Sequence, residues 1–353
     1  MNLEESDVKP AAYAPYRNPR EYITAWTDRI WIKRAVGDLP LHYSPEIQVH
    51  NAYGETYGIT DTIGNSIQKI AAFPNIAWIH DDVIWEKRGE SGFVSSHRTL
   101  FTATHLGHGT YGLPTGKNVM NRIVALCNVH DNLITEEWVV RDEFSVLQGL
   151  GVDPYKVAAR LAESTPVLRQ PLKPPGDAKA FSMQIVDPVR AGVSGARPPH
   201  YDAACELVQE MIEQVWNQRR FHLVTKYFDE TIACHTVRMR CILQHAPYQL
   251  DIMSMLAPFP DARMHIRDFA VHESPDLGLR VSALWVLRGT YSGTGAYGLV
   301  NNAPVAILGA SHFELRDGKI IREYRIFDEV AVIAQIASFG NGWGAPDHQP
   351  ACR

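Results

Sequence analysis

Asp142 and Asp328 each close a segment in which apolar and polar residues alternate, and they lie 186 residues apart (328 minus 142). Alternation puts Glu136, Trp138, Val140 and Asp142 on one face, and Arg322, Tyr324, Ile326 and Asp328 on the corresponding one. On a concave apolar face, loss of solvent would disfavour the ionised carboxyl and raise its pKa toward a value useful for proton transfer. Each aspartate also precedes an apolar run, Glu143 to Gly149 and Glu329 to Gln335, so each could equally cap a terminal helix. His50 and His235 end shorter extended segments upstream, where a histidine can pass protons or sit in the core satisfied by backbone. His105 and His108 belong to the first half only, where the second has Tyr291 and Thr294. Arg238 and Arg240 belong to the second, and at i and i+2 on an extended segment they share a face that could clamp a carboxylate or phosphate. The alternative for that pair is solvated surface charge.

These residues belong to a chain that contains itself twice. Thr104-His-Leu-Gly-His-Gly-Thr-Tyr-Gly-Leu113 returns as Thr290-Tyr-Ser-Gly-Thr-Gly-Ala-Tyr-Gly-Leu299. The separation holds without a gap from Phe73-Pro74, matching Phe259-Pro260, to Trp138 through Glu143, matching Tyr324 through Glu329. Such a register implies two copies of one folding unit, and two copies this far apart are tandem domains rather than a solenoid. The expected division is 15–162, a proline- and glycine-rich linker 163–200, 201–339, and a tail 340–353. The linker is long enough to suggest that it wraps one domain or lids a pocket.

Each copy opens with an amphipathic helix: Tyr22, Trp26 and Ile30 after Pro19 in the first, and Ala204, Val208, Ile212 and Val215 after a candidate cap at Asp202 in the second. A short strand and a second helical stretch follow, closed by Phe-Pro. Period-two segments then take over, joined by short turns such as Arg316-Asp-Gly-Lys319. The layout is α+β, with one curved antiparallel sheet face packed on helices in each copy.

The chain has 353 residues and a net charge of −5 with interleaved signs, which leaves no basic stripe for nucleic acid. No apolar run is long enough for a membrane span or a signal sequence. Five scattered cysteines without CxxC pairing read as reduced thiols of a cytoplasmic protein.

The phrase Thr104 through Lys117 followed by Asn132 through Asp142, with His50-Asn-Ala-Tyr-Gly-Glu-Thr-Tyr-Gly58 and Phe73-Pro74 before it, resembles the SnoaL-like polyketide cyclase family of the nuclear transport factor 2-like superfamily. The first copy carries the resemblance nearly end to end; the second keeps Phe259-Pro260, Asp317-Gly-Lys-Ile and Tyr324 to Asp328. The resemblance implies a cystatin-like α+β cone: a bent sheet around a pocket, with helices closing one end. It also implies pairing of cones through their sheets, here an intramolecular pseudo-dimer, with further homo-oligomers open. Family members include cyclases that close rings by aldol chemistry without metal or organic cofactor, besides isomerases, dehydratases, hydrolases and binding proteins. In some members a carboxylate at the position of Asp142 and Asp328 is the general base.

Gly107 to Gly112 and Gly293 to Gly298 both satisfy GxGxxG, but strands rather than helices follow them, so the dipole that would hold a pyrophosphate is missing. Gly112 to Lys117 falls one residue short of a P-loop. A metal site from His50, His80, His105 and His108 lacks helical HExxH spacing or Cys/His pairing. The expectation is therefore a metal-free, cofactor-free acid/base enzyme for a carbonyl-bearing small molecule, working by aldol cyclisation, isomerisation or elimination. Its catalytic residues would be Asp142, His50 and His105, with Asp328 and His235 in the second copy. Glu136, Trp138, His108, Tyr324, Arg238 and Arg240 would contact substrate. A binding or scaffold protein, and a hydrolase with carboxylate-activated water, are the competing classes.

Overall fold

The computed structural model describes residues 13–164 and 197–339. Nearly all of the expected linker, the tail from Gly340 and Cys352 lie outside them.

The first unit opens with α1, Pro19–Thr27. Asn18 caps it by accepting from the Glu21 amide at 2.9 Å, and Pro19 takes the first turn, where no N–H is required. The helix continues into a π-helical turn, Asp28–Ile32. Strands β1 (Tyr43–Asn51) and β2 (Gly54–Tyr57) form a hairpin, and α2 (Ile59–Ala72) follows. Strands β3 (Ala77–Arg88), β4 (Gly92–Thr104), β5 (Asn118–His130) and β6 (Leu133–Arg141) then make a meander, closed by α3 (Glu143–Leu150) and α4 (Pro154–Ser164).

The second unit repeats the order: α5 (Pro199–Met211), a π-helical turn Ile212–Asn217, α6 (Val224–Tyr227), β7 (Phe228–Thr236), β8 (Cys241–Leu243) and α7 (His245–Leu256). Strands β9 (Arg263–Ser274), β10 (Gly278–Thr290), β11 (Pro304–Arg316) and β12 (Lys319–Phe327) lead to α8 (Glu329–Ser338). Asp202 is not the cap of α5: that helix starts at Pro199, whose ring presets φ for a first turn, and Asp202 lies inside it, paired with Arg197 at 2.7 Å.

The two sheets share one strand order, β2-β1-β6-β5-β4-β3 and β8-β7-β12-β11-β10-β9. The expectation of purely antiparallel sheets needs one correction, because β6 runs parallel to β1 and β12 parallel to β7. The meander starts at the far edge after a helix, so its fourth strand returns beside the first in the same sense. Both sheets are open and bent rather than closed. The β5–β6 and β11–β12 turns are two-residue loops with positive φ at both positions, 47° and 67° at Asp131 and Asn132, and 51° and 72° at Asp317 and Gly318. That geometry matches the strand twist and suits Asp, Asn and Gly.

The outer faces of the two sheets stack on each other. Ile84, Val94, Leu126 and Trp138 of the first meet Ala270, Leu284 and Leu308 of the second. Val124 and Val140 meet Ala310 and Ile326. The inner faces turn toward the helices of their own unit.

The glycine-rich β4–β5 loop is used structurally. Leu106 and Gly107 donate to the last carbonyl of α2, at 3.1 Å each. A Cβ on Gly107 would sit 1.8 Å from the Ala71 carbonyl oxygen, and one on Gly293 would sit 1.9 Å from the equivalent Ala257 oxygen. Glycine is required at both crossings because backbone passes over backbone.

Candidate active site

A cavity of about 450 Å³ lies between the inner face of the first sheet and its helices. From β6 it receives Glu137, Val139 and Arg141, the odd-numbered face. The even-numbered face, with Glu136, Trp138 and Val140, is the one stacked on the second sheet. The expected pocket face was thus the reverse one. Alternation defines two faces but does not say which is concave, and here both are apolar because both are covered.

His50 follows from the same inversion: its ring stacks on Trp138 with centroids 4.9 Å apart, and Nε2 meets Glu136 at 2.9 Å. His235 stacks on Tyr324 in the equivalent place at 4.7 Å, and Arg98 of the first unit lies over the Tyr324 ring. Asp142 and Asp328 are helix caps. Asp142 accepts from the Ser145 amide at 3.3 Å and from the Ser145 hydroxyl. Asp328 accepts from the amides of Val330 at 2.9 Å and Ala331 at 3.2 Å. Each cap is also tied to the other unit's hairpin, Asp142 to the Met239 amide at 3.4 Å and Asp328 to the Tyr53 hydroxyl. Burial raises the pKa of both carboxyls, Asp328 well above its usual range. Neither lines the cavity.

His105 is buried beside the cavity wall, its ring 5.3 Å from that of Phe73, and Nδ1 is engaged by Thr115 at 3.3 Å. His108 is exposed. Arg238 pairs with Glu329 at 2.7 Å and Arg240 with Asp251 at 2.9 Å, so both are spent on internal carboxylates rather than presented to a ligand. The four histidines considered for a metal are dispersed among these places.

Two proton-handling groups that the sequence reading passed over do line the cavity. Glu137 has its oxygens near the Tyr43 hydroxyl at 3.3 Å and the Cys127 thiol at 3.8 Å. Protein encloses it and its remaining surface faces the cavity; burial raises its pKa, against a smaller opposing pull from Arg141. His97, on β4, is 4% exposed. Its Nε2 lies 3.0 Å from Nδ1 of His80, whose Nε2 lies 3.0 Å from Asp28 on the π-helical turn. Burial, with help from His80 and Arg20, holds the His97 pKa well below the usual imidazole value. When His80 is neutral and its Nε2–H donates to Asp28, its Nδ1 accepts from His97 Nε2–H, which leaves a lone pair on His97 Nδ1.

At another part of the wall Lys69 lies 3.6 Å from Glu143, and the Tyr111 hydroxyl donates to the same carboxylate. Burial opposes ionisation of Glu143, but Lys69 and Arg141 outweigh it and hold the pKa below the ordinary range.

The equivalent interior of the second unit is filled. At the 186-residue offset Thr62, Thr99, Cys127 and Val139 become Tyr248, Trp285, Phe313 and Arg325. All four replacements are at most 1% exposed. Opposite Trp285 stands Gly309 where the first unit has Ile123, and a Cβ there would meet the indole at 2.1 Å. Glu323, the counterpart of Glu137, accepts from Tyr248 at 2.6 Å and from Ser311 at 3.0 Å. Arg325 is near it at 3.6 Å. One unit is hollow with a sparsely bonded carboxyl; the other is plugged, and the same carboxyl is saturated.

Fold and site together define a tandem of two α+β units with one strand order, the first of which encloses a cavity. Residues 206–336 match the SnoaL-like polyketide cyclase family model, so the resemblance rests on sequence in the second unit, and on the repeated strand order in the first. The matching unit is the plugged one, whereas the motif residues of the resemblance are more complete in the first. Among solved structures, AclR from Streptomyces galilaeus, a proposed hydroxylase, is 23% identical over 37% of this chain and 95% of its own, with a TM-score of 0.34. IdmH from Streptomyces antibioticus, a proposed polyketide cyclase, is 19% identical over 38% of this chain and 100% of its own, with a TM-score of 0.33. TsrD from Streptomyces laurentii is 16% identical over 37% and 92%, with a TM-score of 0.33. No curated protein matches the chain. Among the described residues no helix is long and apolar enough to cross a membrane.

Proposed function

We propose that the first unit is a cofactor-independent acid/base enzyme for a carbonyl-bearing small molecule, and that the second is its structural partner. The observation that carries this reading is a pair of titratable groups on the wall of one cavity, His97 and Glu137, whose burial disfavours the charged form of each: it lowers the imidazole pKa and raises that of the carboxyl. Such a pair assigns its own roles, neutral histidine as base and carboxylic acid as donor.

His97 Nδ1 takes the proton α to the carbonyl while the Glu137 O–H donates to the carbonyl oxygen, giving an enol. The enol then reprotonates elsewhere, attacks a second carbonyl, or expels a β-substituent. These outcomes are isomerisation, aldol cyclisation and elimination, and the fate of the enol depends on the substrate. The proton held by His97 goes to the new carbon, to the aldol alkoxide or to the leaving group, and the enol O–H returns its proton to Glu137, so both groups are restored; His80, backed by Asp28, steadies the imidazolium in between. The plugged interior of the second unit supports its assignment as scaffold.

The reading is tested by following deuterium wash-in at the α-carbons of 2-tetralone by NMR. The protein should accelerate exchange, and His97→Gln and Glu137→Gln should each lower that acceleration by about 10²-fold or more. Unchanged exchange in both folded variants would remove these residues from the chemistry.

A further inference from the structure

The cavity holds one charged group that the proposed acid/base pair does not use and the protein does not satisfy. Arg141 enters from β6 two turns of alternation beyond Glu137, and its Nε is buried with no hydrogen-bond partner. Neither carboxyl on the cavity wall is available to it. Glu143 is engaged by Lys69 and Tyr111, and Glu137 by Tyr43 and Cys127. Among the described residues Arg141 forms no hydrogen bond or ion pair. Only its Nε is fully buried; the guanidinium acts on Glu143 and Glu137 through space without bonding either, so its donors are left for an anion that enters the cavity. The planar fork of arginine suits a carboxylate.

The rest of the wall describes the body of the ligand. Trp31 and Trp78 stack with centroids 5.5 Å apart, and Phe73 lies 5.8 Å from Tyr111. Trp26 and Ile30 add apolar surface from α1 and its π-helical turn. Flat aromatic walls favour a flat apolar ligand. Charge sets its ionisation. Lys69 and Arg141 face one ionised carboxylate, Glu143, while burial disfavours ionisation of Glu137. One positive charge is left over, which a monoanion neutralises; a dianion would leave a negative charge buried.

We infer that the cavity takes a planar, apolar monocarboxylate, with the carboxylate held by Arg141 and the carbonyl to be activated lying between His97 and Glu137. This rests on the acid/base reading of the same cavity for the carbonyl, but the carboxylate contact stands on Arg141 alone and is measured separately.

The probes are 2-naphthoate, its neutral isostere 2-naphthamide, and 2-naphthyl phosphate, titrated calorimetrically into the full-length protein. The acid should bind at least about tenfold tighter than the amide, the difference expected of a charge-assisted pair, and tighter than the phosphate. Arg141→Gln should abolish the preference for the acid, and Glu137→Gln should leave it intact. The double substitution Thr99→Trp/Ile123→Gly copies the plug of the second unit and should abolish binding of all three, which locates the site. Equal binding of acid and amide by the unaltered protein would overturn the inference without recourse to any variant. So would tighter binding of the phosphate, or an acid preference that survives in folded Arg141→Gln or in the plugged protein. Loss of 2-tetralone exchange without loss of naphthoate binding would instead strike only the acid/base assignment.

Discussion

At the scale of single residues, function separates from structure by what each polar atom already touches. Asp142 and Asp328 have raised pKa values, as a general base in a cleft would, yet their oxygens are consumed by helix amides and by the opposite hairpin. Glu137 has the same kind of shift with few partners and a cavity in front of it. A perturbed pKa therefore marks burial, and only free coordination marks chemistry. The proposed roles fix a pH profile. The ordinary histidine value is 6.5 and burial holds that of His97 well below it, so the acid limb of the profile lies well below 6.5. Glu137 must keep its proton, and its raised value moves the alkaline limb upward from the ordinary 4.5. Exchange activity should therefore persist as pH falls below 6.5 and decline on the alkaline side as Glu137 ionises. In Glu137→Gln, whose amide cannot ionise, the residual rate should lose that alkaline decline. A rate that climbs steadily from pH 5 to 8 would mean that the carboxylate is the base. His97 and Glu137 were present in the alternating strands from the outset. What alternation lacks is the sign of the curvature, and without it the pattern points to Glu136 and Trp138, one residue out of phase, as readily as to Glu137.

At the scale of elements, the helices, hairpins and repeated strand order were legible because their signals are local: proline at a helix start, Asp-Gly at a two-residue turn, period two along β3 to β6. The filling of one cone and the hollowing of the other were also written in the sequence, as Thr99 against Trp285 and Val139 against Arg325. Reading them required knowing that these positions point inward. The caps give an element-scale prediction. Asp142→Ala removes the acceptor at the start of α3 and the tie to Met239. It should cost about 0.5–2 kcal/mol in chemical denaturation, the usual cost of losing a cap. Activity per folded molecule should stay within a few fold of the unaltered protein. Should turnover instead collapse by the factor expected for a lost general base, with stability intact, the aspartate would be catalytic and its capping incidental.

At the scale of the molecule, the two cones are one object because their sheets share an interior. Arg280 and Asp82, 2% and 3% exposed, pair across it. Arg88 reaches Asp268 at 2.8 Å, and the Ser96 hydroxyl meets Nε2 of His312 at 2.8 Å. His312 is fully buried, and burial, reinforced by Arg98, Arg280 and His97, depresses its pKa well below 6.5. Its counterpart in the first unit is Leu126, which packs apolar in the same stack. The difference between the two makes the interface sensitive to acid. His312 stays neutral in the fold, whereas in the unfolded chain it takes a proton as pH falls below about 6.5; the unfolded state then binds more protons and stability drops on acidification. His312→Leu would lose the bond to Ser96, a cost of about 1 kcal/mol at pH 8, where the histidine carries no proton in either state. Between pH 6.5 and 5 the unaltered protein should lose stability relative to the variant, narrowing or reversing the gap by on the order of 1–2 kcal/mol. Denaturant titrations of both proteins at pH 8, 6.5 and 5 measure this directly. A gap that stays constant across that range would show that His312 titrates alike in both states, and that the sheet-to-sheet interior does not desolvate it.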